Sequence, residues 1–209
     1  MATKTALHRM PTNADVRFFC ASMKRSYPRV SIADKASSGW MRFAAWALET
    51  FGVIDGDTFL KLYSTYLFGT VYLPFKPGTR ASPASELLII AHEYGHAYQD
   101  RKAGPALEWE IDYLDTTKRA VIEAECYAIG ACMAIRYPGS FLHQDRQCQD
   151  AVDAFRTSYG RIPQRDINRF ITELYSRVNT YSVTQRAFNL HLQRVTNCLD
   201  QRLMRKETP

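Results

Sequence analysis

The sequence lacks the cysteine patterns that mark disulfide-bonded scaffolds and cysteine-rich metal sites. Its five cysteines are an odd number, they are widely spaced, and no two of them form a CxxC pair. This spacing argues against a disulfide framework and against a zinc site built from thiolates. We therefore expect reduced thiols, as in most cytosolic proteins, at Cys20, Cys126, Cys132, Cys148 and Cys198.

Long apolar segments and blocks of like charge are also missing. No apolar run approaches the ~20 residues that a membrane span requires, and the N-terminal residues lack the apolar core of a signal peptide. The net charge of +6 comes from scattered basic residues, which predicts a solvated surface and no specific nucleic-acid binding. These absences predict a soluble, cytoplasmic protein that does not bind membranes.

The composition is that of a globular chain, with 46% hydrophobic and 23% charged residues over 209 positions. Apolar residues recur mainly at helical spacing. This spacing predicts a short helix capped by Asp57 and longer helices over residues 13–23, 38–51, 82–102, 116–137, 144–159, 164–178 and 184–205. The segment 67–75 is rich in β-branched and aromatic residues and contains Pro74, which predicts an edge strand. The predicted fold class is α+β, mainly α.

The strongest chemical signal is the segment His92-Glu93-Tyr94-Gly95-His96, which has the pattern HExxH within a predicted helix. Residues four apart share a helix face, so the two imidazoles can bind one Zn²⁺. Glu93 can then accept a proton from a metal-activated water without being a ligand. The alternative is a pair of ordinary core histidines. Because an apolar run precedes the motif, its ionisable groups are expected to be buried, which is costly without a metal ion. We predict one Zn²⁺ per chain.

A catalytic zinc ion usually has three protein ligands and one water molecule, so a third ligand is expected outside the motif. Glu123 and Glu125 are both candidates, because both lie on the next predicted helix. The turn at Gly104-Pro105 lets that helix return across the first one. Gly95 supports such a crossing, since a glycine within a helix costs ~1 kcal/mol relative to alanine and permits close approach of another backbone.

From Leu67 to about Ala134 the sequence resembles the gluzincin metallopeptidases, the thermolysin-like superfamily. Within it, the nearest resemblance is to the short bacterial and phage enzymes of the ImmA/IrrE type. In these, HExxH precedes a helix that reads roughly E-x-E-A-N-x-F-A, and EAECYAIG at positions 123–130 is similar to it. The resemblance implies a zincin-like core in which an edge strand pairs with an extended substrate. It also implies a ligand glutamate four positions before a polar residue, which selects Glu123, with Tyr127, over Glu125.

Tyr127 is a departure from the family, which has asparagine at this position. The family residue steadies a ligand histidine. A phenol could do the same, could face the cleft and polarise the substrate, or could be a core tyrosine. We retain Tyr127 as a candidate catalytic residue. Further candidates for stabilising a transition-state oxyanion, which no spacing rule separates, are Tyr113, His143, Tyr159 and Arg161.

These features predict one zincin-like domain over residues 1–209. It would comprise a helical N-terminal region (residues 1–66), a region with the edge strand, motif helix and third-ligand helix (residues 67–137), and a helical C-terminal region (residues 138–209). The predicted activity is zinc-dependent hydrolysis of a peptide or protein substrate, with Glu93 as general base and His92, His96 and Glu123 as metal ligands. The alternative is a zinc-binding pseudoenzyme, virion component or regulatory protein without turnover.

Overall fold

The computed structural model describes residues 8–52, 55–104, 107–158 and 162–204. Within them the chain is mainly helical with a small three-stranded sheet, which agrees with the predicted class. The helices are α1 (Asn13–Ser26), α2 (Gly39–Thr50), α3 (Gly56–Leu62), α4 (Pro83–Ala103), α5 (Glu108–Leu114), α6 (Thr116–Arg136), α7 (Gln144–Ser158), α8 (Gln164–Thr184) and α9 (Leu190–Leu203). The strands are β1 (Ser31–Asp34), β2 (Thr65–Leu67) and β3 (Thr70–Leu73). Of the described helices, none combines the length and the apolar character needed to cross a bilayer.

The sheet differs from the single edge strand predicted over 67–75. Its order is β1-β3-β2, with β3 parallel to β1 and antiparallel to β2. Leu67 ends β2, and β3 is the central strand, so the prediction is wrong. The reason is a tight turn at Phe68 and Gly69, whose φ angles of 46° and 74° are both positive, as in two-residue hairpins. The edge strand that packs beside α4 is β2, and β1 lies within the N-terminal region that was predicted to be helical.

Two helices begin at a different capping residue from the predicted one. Asp55, not Asp57, caps α3, and Asp115, not Thr116 or Thr117, caps α6. Each carboxylate accepts hydrogen bonds from backbone N–H groups of the first turn, at 2.7–3.0 Å. The sequence left these positions ambiguous because residues with the same capping ability stand next to one another.

The C-terminal region is helical as predicted, with different boundaries. Helix α8 continues to Thr184, and α9 begins only at Leu190, after Asn189 accepts a hydrogen bond from the Leu192 N–H group. Helix α5 was not predicted.

Helix α6 is central to the packing of the molecule. Ala120, Ala124, Ala128 and Ala131 form a buried stripe of small side chains along it, and α7 and α8 pack against this stripe. Other residues of α6 belong to a second core cluster, shared with α1, α4, α9 and the sheet. Polar side chains between α4 and α6 therefore lie at the junction of two apolar clusters.

His191 is a core histidine, as predicted. It is fully buried, its Nε2–H group donates to the Ala91 carbonyl in α4 (2.8 Å), and its Nδ1 accepts from the Tyr27 hydroxyl (2.8 Å). Burial lowers the pKa of His191 to about 4, so the imidazole is neutral at pH 7.

Candidate metal centre

Helix α4 begins where the sequence predicts and presents the HExxH residues to α6. The Ser82 hydroxyl accepts a hydrogen bond from the Ser85 N–H group (3.3 Å), and Pro83 occupies the first turn. Leu87, Ile90 and Tyr94 on this helix are fully buried. Because these apolar side chains fix how the helix is rotated against the core, both motif histidines are held next to α6.

The three predicted metal ligands lie together between α4 and α6. The Nε2 atoms of His92 and His96 are 3.1 Å apart. The Glu123 carboxylate lies 3.3 Å from His92 (Oε2 to Nε2) and 3.5 Å from His96 (Oε1 to Nε2). Glu123 is fully buried and His96 is 4% exposed. Their ligand atoms all lie within 4.8 Å of one another, and the group could hold a metal ion.

The donor atoms and their spacing fit a zinc ion. Two imidazoles and one carboxylate form a ligand set of known catalytic zinc sites. Ligand atoms ~2.0–2.2 Å from a tetrahedral ion lie roughly 3.3–3.6 Å from each other, which is close to the distances between these three side chains. Two imidazole nitrogens at 3.1 Å also need a proton or a cation between them, because two lone pairs repel.

Two aromatic residues of α5 hold Glu123 in place. The Tyr113 hydroxyl donates a hydrogen bond to Oε1 of Glu123, and the Tyr113 ring stacks on Trp109 with 5.0 Å between centroids. Burial acts to raise the pKa of Glu123, but the charges and hydrogen bonds of His96 and His92 outweigh it and hold this pKa well below its usual range. The carboxylate is therefore ionised, as a metal ligand must be.

Glu93 lies beside this group and is held separately from it. The Ser64 hydroxyl donates a hydrogen bond to its Oε1 (2.5 Å). Its Oε2 is buried and accepts no hydrogen bond from any residue that the structure describes. A buried carboxylate oxygen without a protein donor needs another partner, such as a water molecule. Glu93 is thus available for proton transfer next to the candidate metal ligands.

Lys35 supports the segment that carries Ser64. This lysine follows β1 and is completely buried. Its Nζ donates to the Tyr63 carbonyl (3.0 Å) and the Thr65 hydroxyl (2.8 Å), the two residues that flank Ser64. Burial lowers the pKa of Lys35 to about 7, although the negative charge of Glu93 opposes the shift.

Glu125 is not part of the three-residue group, and it binds two amide side chains instead. Its Oε2 accepts a hydrogen bond from Gln99 (3.2 Å), and its Oε1 accepts one from Asn189 (2.5 Å). The Gln99 Oε1 in turn lies 3.1 Å from Nδ1 of His96. A carbonyl oxygen can only accept, so the His96 Nδ1 carries a proton, and Nε2 is the nitrogen that would bind a metal ion.

Gly95 allows α6 to approach the motif helix, as the sequence predicts, but side chains make the contact. A Cβ atom at Gly95 would lie 2.8 Å from the Cys126 Sγ and 3.2 Å from the Ile129 Cδ1. Cys126 sits on the Nδ1 side of His96, 3.4 Å away, and burial raises the pKa of its thiol to about 11. It is a packing neighbour, remote from the Nε2 side where a metal ion would bind.

Tyr127 touches the group through its ring. Its ring centroid lies 4.5 Å from that of His92 at an interplanar angle of 66°. Burial raises the pKa of Tyr127 well above its usual range, and the charges of Glu123 and Glu93 raise it further. The phenol is therefore protonated and able to donate a hydrogen bond. Tyr127 thus packs against a candidate ligand histidine and also lines a cavity beside Glu93.

A cleft opens on both sides of His92 and Glu93, as two adjoining cavities of about 260 and 270 Å³. We call the first the apolar half, because its walls include Leu62, Leu88, Ile89 and Ala154. We call the second the aromatic half, because its walls include Phe59, Trp109, Tyr113 and Arg119. The residues that line both halves are Tyr63, Ser64, His92, Glu93 and Ser158.

Of the remaining oxyanion candidates, His143 is the one within the described residues. His143 is exposed before α7, 3.4 Å from Asp145 and outside the walls of the cleft. Tyr159 and Arg161 lie outside the described residues. Three supporting residues were not predicted, namely Ser64, Lys35 and Gln99. Gln99 could have been found, because it stands three residues after His96 on the same helix, whereas Ser64 carries no local signal.

Comparison with known proteins does not place the chain in a family. No known protein family matches the sequence, no curated protein is significantly similar to it, and no solved structure matches it significantly.

Proposed function

We propose that this protein is a zinc-dependent peptidase, in which His92, His96 and Glu123 bind the metal ion and Glu93 is the general base. The observation that carries the proposal is the position of Glu93. It lies outside the three-residue group, is held through Oε1 by Ser64, and lines the cleft, and its buried Oε2 has no donor among the described residues. A structural zinc site needs no such carboxylate, whereas hydrolysis needs a base close to the metal but not bound to it.

A zinc ion bound by these residues would lower the pKa of a water molecule and polarise the scissile carbonyl. Glu93 would accept a proton from a water molecule while the oxygen of that water forms a bond to the carbonyl carbon. The same carboxylic acid then gives the proton to the amide nitrogen as the carbon–nitrogen bond breaks. Tyr127, which is protonated and lines the cleft, is the candidate donor to the developing oxyanion.

The substrate in this proposal is an extended peptide that lies along β2. Thr65, the first residue of this strand, lines the cleft with Glu93, as do Tyr63 and Ser64 just before the strand. Because β2 is at the edge of the sheet, its backbone can pair with an added strand. Such pairing would stretch a peptide across the candidate metal centre.

The test is metal analysis and peptide hydrolysis on purified wild-type protein and variants. We expect one zinc ion per chain and cleavage of unstructured peptides. Glu93→Gln should retain zinc and lose activity by roughly 10²–10⁴-fold, the range for removal of a general base. His96→Ala should lose both zinc and activity, and Glu108→Gln, an exposed glutamate, should change neither.

Two results would count against the proposal. Full activity in the Glu93→Gln protein would refute the assignment of the base. Stoichiometric zinc in a wild-type protein that cleaves no peptide would favour the alternative, a zinc-binding protein without turnover.

A further inference from the structure

The two halves of the cleft differ in chemistry although they meet at the same residues. The apolar half is walled by Leu62, Leu88 and Ile89, and neither lysine nor arginine occurs among its described lining residues. If the proposed peptidase function holds, a peptide that crosses the centre would place the residues on either side of the scissile bond in different halves. Their chemistry should therefore determine which peptides bind.

Arg119 gives the aromatic half its distinct character. It precedes Glu123 by one helical turn on α6 and lines the cavity with it. Of the described residues around this cavity, it alone is a lysine or arginine. Its guanidinium carbon lies 5.7 Å from the centroid of the Tyr113 ring, and that ring stacks on Trp109.

This arrangement holds a guanidinium on a rigid aromatic surface. Tyr113 is fixed at its other end by the hydrogen bond to Glu123, and Trp109 is 4% exposed. A guanidinium can stack on a ring with its face and bind a carboxylate with its N–H edge, because the two contacts use different parts of the group.

We infer that the aromatic half of the cleft is a carboxylate-binding subsite in which Arg119 is the recognising residue. The inference rests on the proposed function and specifies its substrate class. The preferred peptide carries an apolar side chain on one side of the scissile bond and a carboxylate on the other. That carboxylate is either an acidic side chain or the C-terminal carboxylate of the peptide.

The test compares matched peptides on the wild-type, zinc-loaded protein. The parent is a neutral peptide with an apolar centre and both ends blocked. One series introduces a single glutamate at each position in turn, and one further peptide has a free C-terminal carboxylate. We expect kcat/KM to rise for one glutamate position or for the free C-terminus, which distinguishes the two sources of the carboxylate.

Arg119→Gln should then lower kcat/KM for the preferred peptide by roughly 10- to 100-fold, the range for loss of a charged hydrogen bond, and should lower it much less for the neutral parent, so that the preference for the carboxylate peptide is lost. Arg119→Lys should recover part of the loss. Lys118→Gln is the matched control, since it removes the same charge from the neighbouring position, where the exposed lysine pairs with Asp112. Zinc content and thermal unfolding should be unchanged in all three variants.

A binding measurement separates this inference from the proposed function. The affinities of the preferred peptide and of the neutral parent are measured on Glu93→Gln and on the double variant Glu93→Gln/Arg119→Gln. Tighter binding of the carboxylate peptide that disappears with Arg119 supports the subsite even if no peptide is cleaved. Peptide cleavage without a carboxylate preference, or with a preference that survives Arg119→Gln, would overturn the subsite and leave the peptidase proposal standing.

Discussion

The orientation of His96 depends on residues outside the HExxH motif. The Oε1 of Gln99 accepts a hydrogen bond from the Nδ1–H group of His96, and its Nε2 donates to the Ile122 carbonyl (3.0 Å) and to Glu125. The amide thus has both ends occupied and cannot rotate without losing a bond. Partners of this kind keep the ligand nitrogen directed at the metal, and their loss typically weakens metal binding.

We therefore predict that Gln99→Ala weakens zinc binding by roughly 10- to 100-fold without abolishing it. Competition with a chelator of known affinity measures the change. Gln149→Ala is the control, because this glutamine is exposed on α7 and bonds to Asp153. An unchanged zinc affinity in Gln99→Ala would show that Gln99 does not orient the ligand.

The same network predicts different results for the two glutamates of α6. Glu123→Ala should lose zinc, because it removes one of three grouped side chains. Glu125→Ala should keep zinc at reduced affinity, because it removes only a partner of Gln99. Zinc analysis of both purified variants makes the comparison, and zinc loss in Glu125→Ala alone would reverse the assignment.

Lys35 is a completely buried lysine, and this makes its protonation contribute to the stability of the protein. Its pKa is about 7 in the folded chain, against 10.5 for an ordinary lysine, because burial disfavours the charge. Between these values the unfolded chain binds the proton and the folded chain does not. The free energy of unfolding therefore rises with pH in this range.

We predict that the wild type gains stability relative to Lys35→Met as the pH increases from about 7 to 10.5. The slope should be up to about 1.4 kcal/mol per pH unit. Urea unfolding at several pH values measures it, with the exposed lysine variant Lys118→Met as control. Parallel stability curves for wild type and Lys35→Met would mean that Lys35 keeps an ordinary pKa.

At the scale of elements, capping residues and apolar spacing in the sequence predicted some helices and strands correctly and did not predict others. Helix α4 was predictable because Ser82, Pro83 and the apolar spacing that follows all agree. The β2–β3 hairpin was not, because its turn places Phe68 at positive φ, which is rare for a bulky residue. Helix α5 is short, and it follows Leu107 at φ 79°, so it has neither a capping signal nor a long apolar period.

The residues of the candidate site also differ in whether the sequence could predict them. The pairing of His92 and His96 could be predicted because helical spacing alone brings them together. The choice between Glu123 and Glu125 needed either the family resemblance or coordinates, since both stand on the same helix. Ser64 and Lys35 could not be predicted. Ser64 reaches Glu93, and Lys35 reaches the residues on either side of Ser64, only through the packing of segments that are distant in the sequence.

The crossing of α4 and α6 at Gly95 gives a prediction about two glycines. Gly95→Ala should destabilise the protein by about 1–3 kcal/mol, because the added methyl group meets Cys126 at 2.8 Å and Ile129 at 3.2 Å. Gly130→Ala should be neutral or stabilising by up to ~1 kcal/mol, since its nearest neighbour is the flexible end of Leu88 at 3.3 Å. Denaturant unfolding measures both, and equal effects would contradict tight packing at Gly95.

Across the whole molecule, one buried imidazole joins three distant segments. His191 on α9 donates to the Ala91 carbonyl of α4 and accepts from Tyr27 at the end of α1. Ala91 directly precedes the first candidate metal ligand. The arrangement requires neutral His191, because a protonated Nδ1 could no longer accept the Tyr27 hydroxyl proton.

Acid should therefore weaken the folded protein through His191. Its pKa is about 4 when folded and 6.5 in an ordinary histidine, so only the unfolded chain binds the proton between these values. As the pH falls from 6.5 to 4, the wild type should lose up to about 1.4 kcal/mol per pH unit relative to His191→Leu. Urea unfolding of metal-free protein measures this, since protons then do not compete with zinc at the other histidines. The free energy of unfolding of His143→Leu, which alters an exposed histidine, should depend on pH in the same way as that of the wild type. If His191→Leu also showed the pH dependence of the wild type, His191 would not be the cause of the acid sensitivity.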